Sequence, residues 1–255
     1  MFCVLNIEKR PDTLREKLFG RFIKDQYDAR MIPVFKGAPF YILNVTVGKR
    51  GVDWDKIIYC AGKCARRLVL TNNFKLPQRD DIAEFKSNML YRKMMENTFA
   101  YILKKLNTKK SVTLIDTDGK SADLLYKIAP FAATLTVITE SKKDYEFVCD
   151  DIQEKTGLCT AVQSSYAEAD VKIDVNRSVM TVTNEKSCIN VTEGCDFTVP
   201  EIYDKLLPEN TDKYTFYAAL YELCGVFSLG ECIFETITVN NEKITLAELD
   251  TRIFI

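Results

Sequence analysis

From residue 111 onward the chain switches repeatedly between two hydrophobic periods, and this alternation constrains the fold more than any other feature. Val112-Thr-Leu-Ile-Asp116 has the period of a strand and is followed by the turn Thr117-Asp-Gly-Lys120 and a helical stretch from Ser121 to about Ala129. Leu135-Thr-Val-Ile-Thr139 is the next strand. Ser141 and Asp144 form a capping box for a helix carrying Tyr145, Val148 and Ile152, which Gly157 ends. Cys159-Thr-Ala-Val162, Val171-Lys-Ile-Asp-Val175 and Val179-Met-Thr-Val182 follow. Strands alternating with helices predict an α/β fold with a doubly wound, mostly parallel sheet covered on both faces.

Residues 1–78 read as a smaller α/β domain in front of it. Phe2 to Ile7 and Phe40 to Val47 are strand-like, and Gly48-Lys-Arg-Gly51 closes the second as a turn. Asp53 is the N-cap of a helix holding Trp54, Ile57, Ile58 and Ala61, and Arg67-Leu-Val-Leu-Thr71 completes a βαβ crossover. The polar, proline-containing stretch Asn72 to Gln78 is the expected boundary, giving domains 1–78 and 79–255. Asp80-Asp81 then opens the longest helical pattern, with Phe85, Met89, Met95, Phe99, Ile102, Leu103 and Leu106 on one face. Another helix runs from Tyr214 to near Gly225, and a hairpin turns at Asn240-Asn241.

Composition acts mainly by exclusion. The chain has no histidine, which removes Ser-His-Asp and Cys-His catalysis and histidine-ligated metals in their usual forms. With 35 basic against 36 acidic side chains, neither nucleic acid nor an anionic membrane is an expected partner. No apolar run reaches the roughly 20 residues that span a bilayer, and the first ten residues do not read as a signal peptide. Nine cysteines, an odd number without C-x-x-C spacing, fit free thiols in a reducing, cytoplasmic setting. Cys60 and Cys64, one helical turn apart, make half a zinc site, and no metal is expected.

The first βα turn of a doubly wound sheet is where nucleotide phosphates meet helix amides. Here Gly119 is its only glycine, where dinucleotide binders have G-x-G-x-x-G, and Asp118 adds negative charge. Glu140 stands 21 residues after Gly119 (140 − 119), where an acid grips a ribose hydroxyl. Gly119-Lys120-Ser121 also matches the end of a P-loop, but the earlier glycine is replaced by Leu114. The candidate cofactor-binding residues are therefore Gly119, Lys120, Ser121 and Glu140. Lys63, Lys120, Asp116 and Tyr126 are of types that move protons, and Arg66-Arg67 of a type that clamps anions, but no catalytic set is defined.

On these features the chain from about 80 to 225 resembles the Rossmann-like superfamily. The long helix before the first strand and the helical return after the sheet are similar to the two-domain amino-acid-dehydrogenase-like branch, which includes shikimate dehydrogenases and glutamyl-tRNA reductases. The resemblance implies a dinucleotide site of which only Gly119 and Glu140 carry over. Asp116-x-x-Gly119 followed by an acid is equally similar to S-adenosylmethionine-dependent methyltransferases. Two expectations stand side by side. One is a degenerate scaffold without cofactor, acting as a binding or interaction module for an unknown small molecule or protein. The other is an NAD(P)-dependent oxidoreductase or S-adenosylmethionine-dependent methyltransferase.

Overall fold

The computed structural model describes residues 1–253 apart from 12, 14–22, 49, 73, 107–108, 166–167 and 184–187. In chain order the first elements are β1 (Cys3–Lys9), β2 (Gln26–Ile32), β3 (Phe40–Val47), α1 (Trp54–Ala61), β4 (Leu68–Leu70) and α2 (Met89–Lys105). Next come β5 (Lys110–Ile115), α3 (Ala122–Ile128), β6 (Ala132–Ile138), α4 (Lys142–Thr156), β7 (Cys159–Gln163), β8 (Val171–Asp174), β9 (Val179–Thr183) and β10 (Cys188–Gly194). The last are α5 (Glu201–Asp204), α6 (Lys213–Cys224), β11 (Thr236–Val239), β12 (Glu242–Thr245) and α7 (Leu246–Ile253). They form two compact units, Met1–Leu90 with Val199–Gly230 and Tyr91–Thr198 with Glu231–Ile255.

The first unit is a four-stranded sheet in the order β2-β3-β1-β4. β3 and β4 run parallel to β1 on either side, so β3, α1 and β4 make the expected crossover, and β2 is antiparallel to β3. Asp53 caps α1, its carboxylate accepting the Lys56 amide at 3.1 Å. Cys3, Leu5, Leu43 and Val45 pack with Ile57 of α1 into one buried cluster. Phe2 stacks on Phe40 with centroids 5.0 Å apart, and both meet Phe216 of α6 edge-on. That aromatic contact, with Ala38 N donating to Cys224 O at 2.7 Å, ties residues 199–230 to this unit rather than to the second.

The long helix begins at Met89, not at Asp80. Residues 82–85 are drawn into pairing beside β4, with Leu68 N donating to Ala83 O and Phe85 N to Leu68 O, and backbone groups so used cannot join a helix. Ser87 Oγ then accepts the Met89 amide at 3.1 Å.

The second unit holds an eight-stranded sheet in the order β12-β11-β10-β9-β8-β5-β6-β7. β5, β6, β7 and β8 are mutually parallel, whereas β8 to β12 pair antiparallel throughout. The fold is α/β, but the sheet is mixed, which corrects the mostly parallel, doubly wound expectation. Its two faces differ. Val112, Leu114, Leu135, Val137, Val171, Ile173, Met180 and Val182 point to one side and are buried. α4 packs along β7, its Cys149 carbonyl accepting Thr160 Oγ1 at 3.3 Å. The other side carries Thr134, Thr136, Lys172, Asp174, Thr181 and Thr183, all half-exposed or exposed. Cys159 faces that side and is exposed, whereas Cys149 and Cys224 are buried. All nine cysteines are unpaired. Gly157 and Gly225 end α4 and α6 in the left-handed conformation, and Asn240-Asn241 turns the β11–β12 hairpin.

Candidate functional site

The turn between β5 and α3 lies at the carboxyl ends of the parallel strands, the position where α/β sheets place ligands. Its residues are held from several directions. Asp116 is fully buried at the end of β5. One of its oxygens accepts the Ser121 amide at 2.8 Å and the Tyr145 hydroxyl, and the other pairs with Arg92 Nη2 at 2.7 Å. The same guanidinium reaches Asp118 through Nη1 at 2.9 Å and donates to Ser121 Oγ from Nε and Nη2. Ser121 Oγ donates in turn to Glu96, which is 2% exposed. The Lys93 ammonium lies 3.2 Å from the second Glu96 oxygen, an ion-pair distance without hydrogen-bond alignment. Asn176, in the turn after β8, accepts the Thr117 amide at 2.9 Å and donates to Asp118 at 3.3 Å.

The charges in this cluster answer one another. Burial works against the Arg92 cation, but Asp118 and Asp116 more than offset it and raise its pKa. Arg92 foremost, with the neighbouring Asp116 and a smaller contribution from Lys120 at 3.1 Å, holds Asp118 well below the usual carboxylate range. Burial first, and then the bond to Asp116, push the Tyr145 phenol upward. Three cations (Arg92, Lys93, Lys120) face three carboxylates (Glu96, Asp116, Asp118), so the cluster is neutral within itself.

Gly119 has a specific steric role. Its φ is +72°, and a Cβ built there would stand 2.8 Å from the Ser141 Cβ. The open side of this glycine therefore faces the start of α4. Ser141 sits at the N-cap of α4 but makes no side-chain cap bond, so the expected capping box is not formed. Its amide instead donates to Thr139 Oγ1 at 3.0 Å.

Of the sequence candidates, Gly119, Lys120 and Ser121 share this turn. Ser121 is wholly buried, and Lys120 is exposed beside Asp118. Glu140 is exposed at the end of β6, with no hydrogen bond or ion pair among the described residues. Tyr126 is exposed on α3 and donates to Asp151 at 2.9 Å. Lys63, Arg66 and Arg67 are exposed residues of the first unit. Sequence reasoning missed Arg92, Glu96, Tyr145 and Asn176. The first two had a legible signal, since 92, 96, 99 and 103 lie on one helix face with Phe99 and Leu103, where polar side chains need buried partners.

The dinucleotide and adenosyl cofactors match this turn poorly. The Ser121 amide is committed to Asp116, Asp118 is a carboxylate, and the glycine's free side is filled by Ser141. Among the described residues no group of cysteines and carboxylates could hold a metal ion, and no helix is long and apolar enough to cross a membrane. The fold and site define an α/β chain with a mixed sheet and a self-neutralised βα turn. No protein-family model and no curated protein sequence matches this chain.

Proposed function

We propose that the chain is a non-catalytic binding or interaction module, in which a Rossmann-like parallel core has kept the βα turn as a structural latch rather than a cofactor cradle. The observation that carries this reading is the Arg92 guanidinium bridging Asp116 and Asp118 across the turn. Cofactor phosphates need free helix amides and no opposing charge. Here the latch uses an amide and presents a carboxylate. The partner is a small molecule or protein of a reducing, cytoplasmic setting, in keeping with nine unpaired thiols.

The exposed Glu140 favours a second reading, an NAD(P)-dependent oxidoreductase or S-adenosylmethionine-dependent methyltransferase. A charged hydrogen bond to a ribose contributes about 1.5–3 kcal/mol. A millimolar dissociation constant already requires about 4 kcal/mol, so this contact alone gives no useful affinity. Calorimetric titration with NAD, NADP and S-adenosylmethionine separates the readings. The module reading expects no saturable binding below about 1 mM. Micromolar binding of any of the three that Glu140→Ala abolishes would overturn it in favour of the enzyme.

A further inference from the structure

The first unit contains a polar pocket that the function proposed above does not use. It lies where β3 turns into α1, has a volume of about 310 Å³, and draws on two separate stretches of chain. Lys24, Asp25 and Tyr27 come from the entry to β2, Arg50 and Asp53 from the turn, and Lys56 from α1. Three of these side chains are cations, and among the described residues Lys24, Arg50 and Lys56 have no ion-pair partner. Both acids are engaged by backbone: Asp25 accepts the Gly48 amide at 2.8 Å, and Asp53 accepts the Lys56 amide at 3.1 Å. Asp53 thereby caps α1, and the cations rather than the helix amides supply the positive field. Tyr27 adds a buried hydroxyl with no hydrogen-bond partner among the described residues, a costly state for a polar atom unless a ligand meets it. The Lys56 ammonium lies 4.2 Å from the centroid of the Tyr27 ring, so the two side chains share one side of the pocket.

We infer that this pocket binds the phosphate group of a small molecule. A carboxylate offers two oxygens in one plane, which a single guanidinium fork satisfies. One guanidinium, two ammoniums and a phenol on two chain segments suit a tetrahedral oxyanion with oxygens in several directions.

The test is calorimetric titration of the full chain with inorganic phosphate, and with malonate as a carboxylate control, at ionic strength held constant with chloride. Phosphate is expected to saturate with a dissociation constant on the order of 1 mM, and malonate to bind at least severalfold more weakly. Arg50→Ala and Lys56→Ala alter exposed side chains and are each expected to weaken phosphate about tenfold. Tyr27→Phe removes an unpartnered hydroxyl, so it is expected to leave the melting temperature of the ligand-free protein unchanged or raised while weakening phosphate severalfold. Absence of saturation up to about 50 mM phosphate, some fifty times that expected constant, would overturn the inference. So would malonate binding as tightly as phosphate, or phosphate affinity unchanged in Arg50→Ala and Lys56→Ala.

Discussion

Replacing Arg92 by methionine keeps most of the side-chain volume and removes one charge from the centre of the latch. Asp116, with no solvent exposure, then keeps only the Ser121 amide and the Tyr145 hydroxyl, and Asp118 loses its strongest partner. Removing one member of a buried ion pair costs about 3–5 kcal/mol, because the other charge is left uncompensated. Two remaining donors to Asp116 and the 18% exposure of Arg92 put the cost at the lower end, about 3 kcal/mol. Hydrogen exchange read by mass spectrometry localises the effect. Peptides across β5 and β8 are expected to lose about a hundredfold in protection, since each 1.4 kcal/mol is tenfold. Adding Asp116→Asn removes the stranded charge and is expected to restore a large part of the loss. The pH dependence has a definite sign. Asp118 has a lowered pKa in the folded chain, so its contribution is present above the unfolded carboxylate value of about 4 and is lost as pH falls. Arg92→Met is expected to flatten that acid limb. Protection unchanged within about threefold (some 0.7 kcal/mol), or a double variant worse than the single one by the full cost of Asp116→Asn alone, would refute the reasoning.

Gly119→Ala combines a left-handed backbone with the 2.8 Å approach to Ser141, and is expected to cost about 3 kcal/mol in urea unfolding. Gly194→Ala puts a methyl 2.1 Å from the Phe234 ring, so its melting temperature should fall, with partial recovery in Gly194→Ala/Phe234→Leu. Phe216→Ala removes the centre of the Phe2–Phe40–Phe216 cluster and is expected to cost about 3–5 kcal/mol, reported by the fluorescence of Trp54, the only tryptophan, in the same unit. In the native protein an aromatic disulfide reagent should modify the exposed Cys60, Cys159 and Cys188. Cys3, which burial pushes up to about 12, and Cys224, which burial pushes up to about 11, should react only after unfolding.

Local chemistry was legible in the sequence where it depends on few neighbours. The Asp53 cap, the glycine ends of α4 and α6, the asparagine hairpin turn and the β3–α1–β4 crossover all follow from short-range rules. Strand direction was misread for β9 and β10, which pair antiparallel where a mostly parallel sheet was expected, because period two is the same in parallel and antiparallel strands. One clue was present: only residues 176–178 separate Val175 from Val179, too few for a parallel crossover and enough for a hairpin. The start of α2 was misplaced because pairing beside β4 claims residues 82–85, a tertiary effect that propensity does not contain. The turn residues Gly119, Lys120 and Ser121 could be found by spacing, but the latch around them could not. It joins Arg92, Asp116, Tyr145 and Asn176 from four different segments, and only the fold brings them together.

The most direct measurement of the latch is made at its own amides. In a ¹H–¹⁵N spectrum of the full chain, the Gly119, Lys120 and Ser121 resonances can be followed while NAD, NADP or S-adenosylmethionine is added to about 1 mM, where useful affinity would already be evident. A closed, self-neutralised turn predicts that these three signals stay in place and that the Ser121 amide, bonded to Asp116, remains protected from exchange. Saturable shifts of Gly119 and Ser121 with any of the three compounds would contradict the account, because they would place a cofactor on amides that the latch is held to occupy.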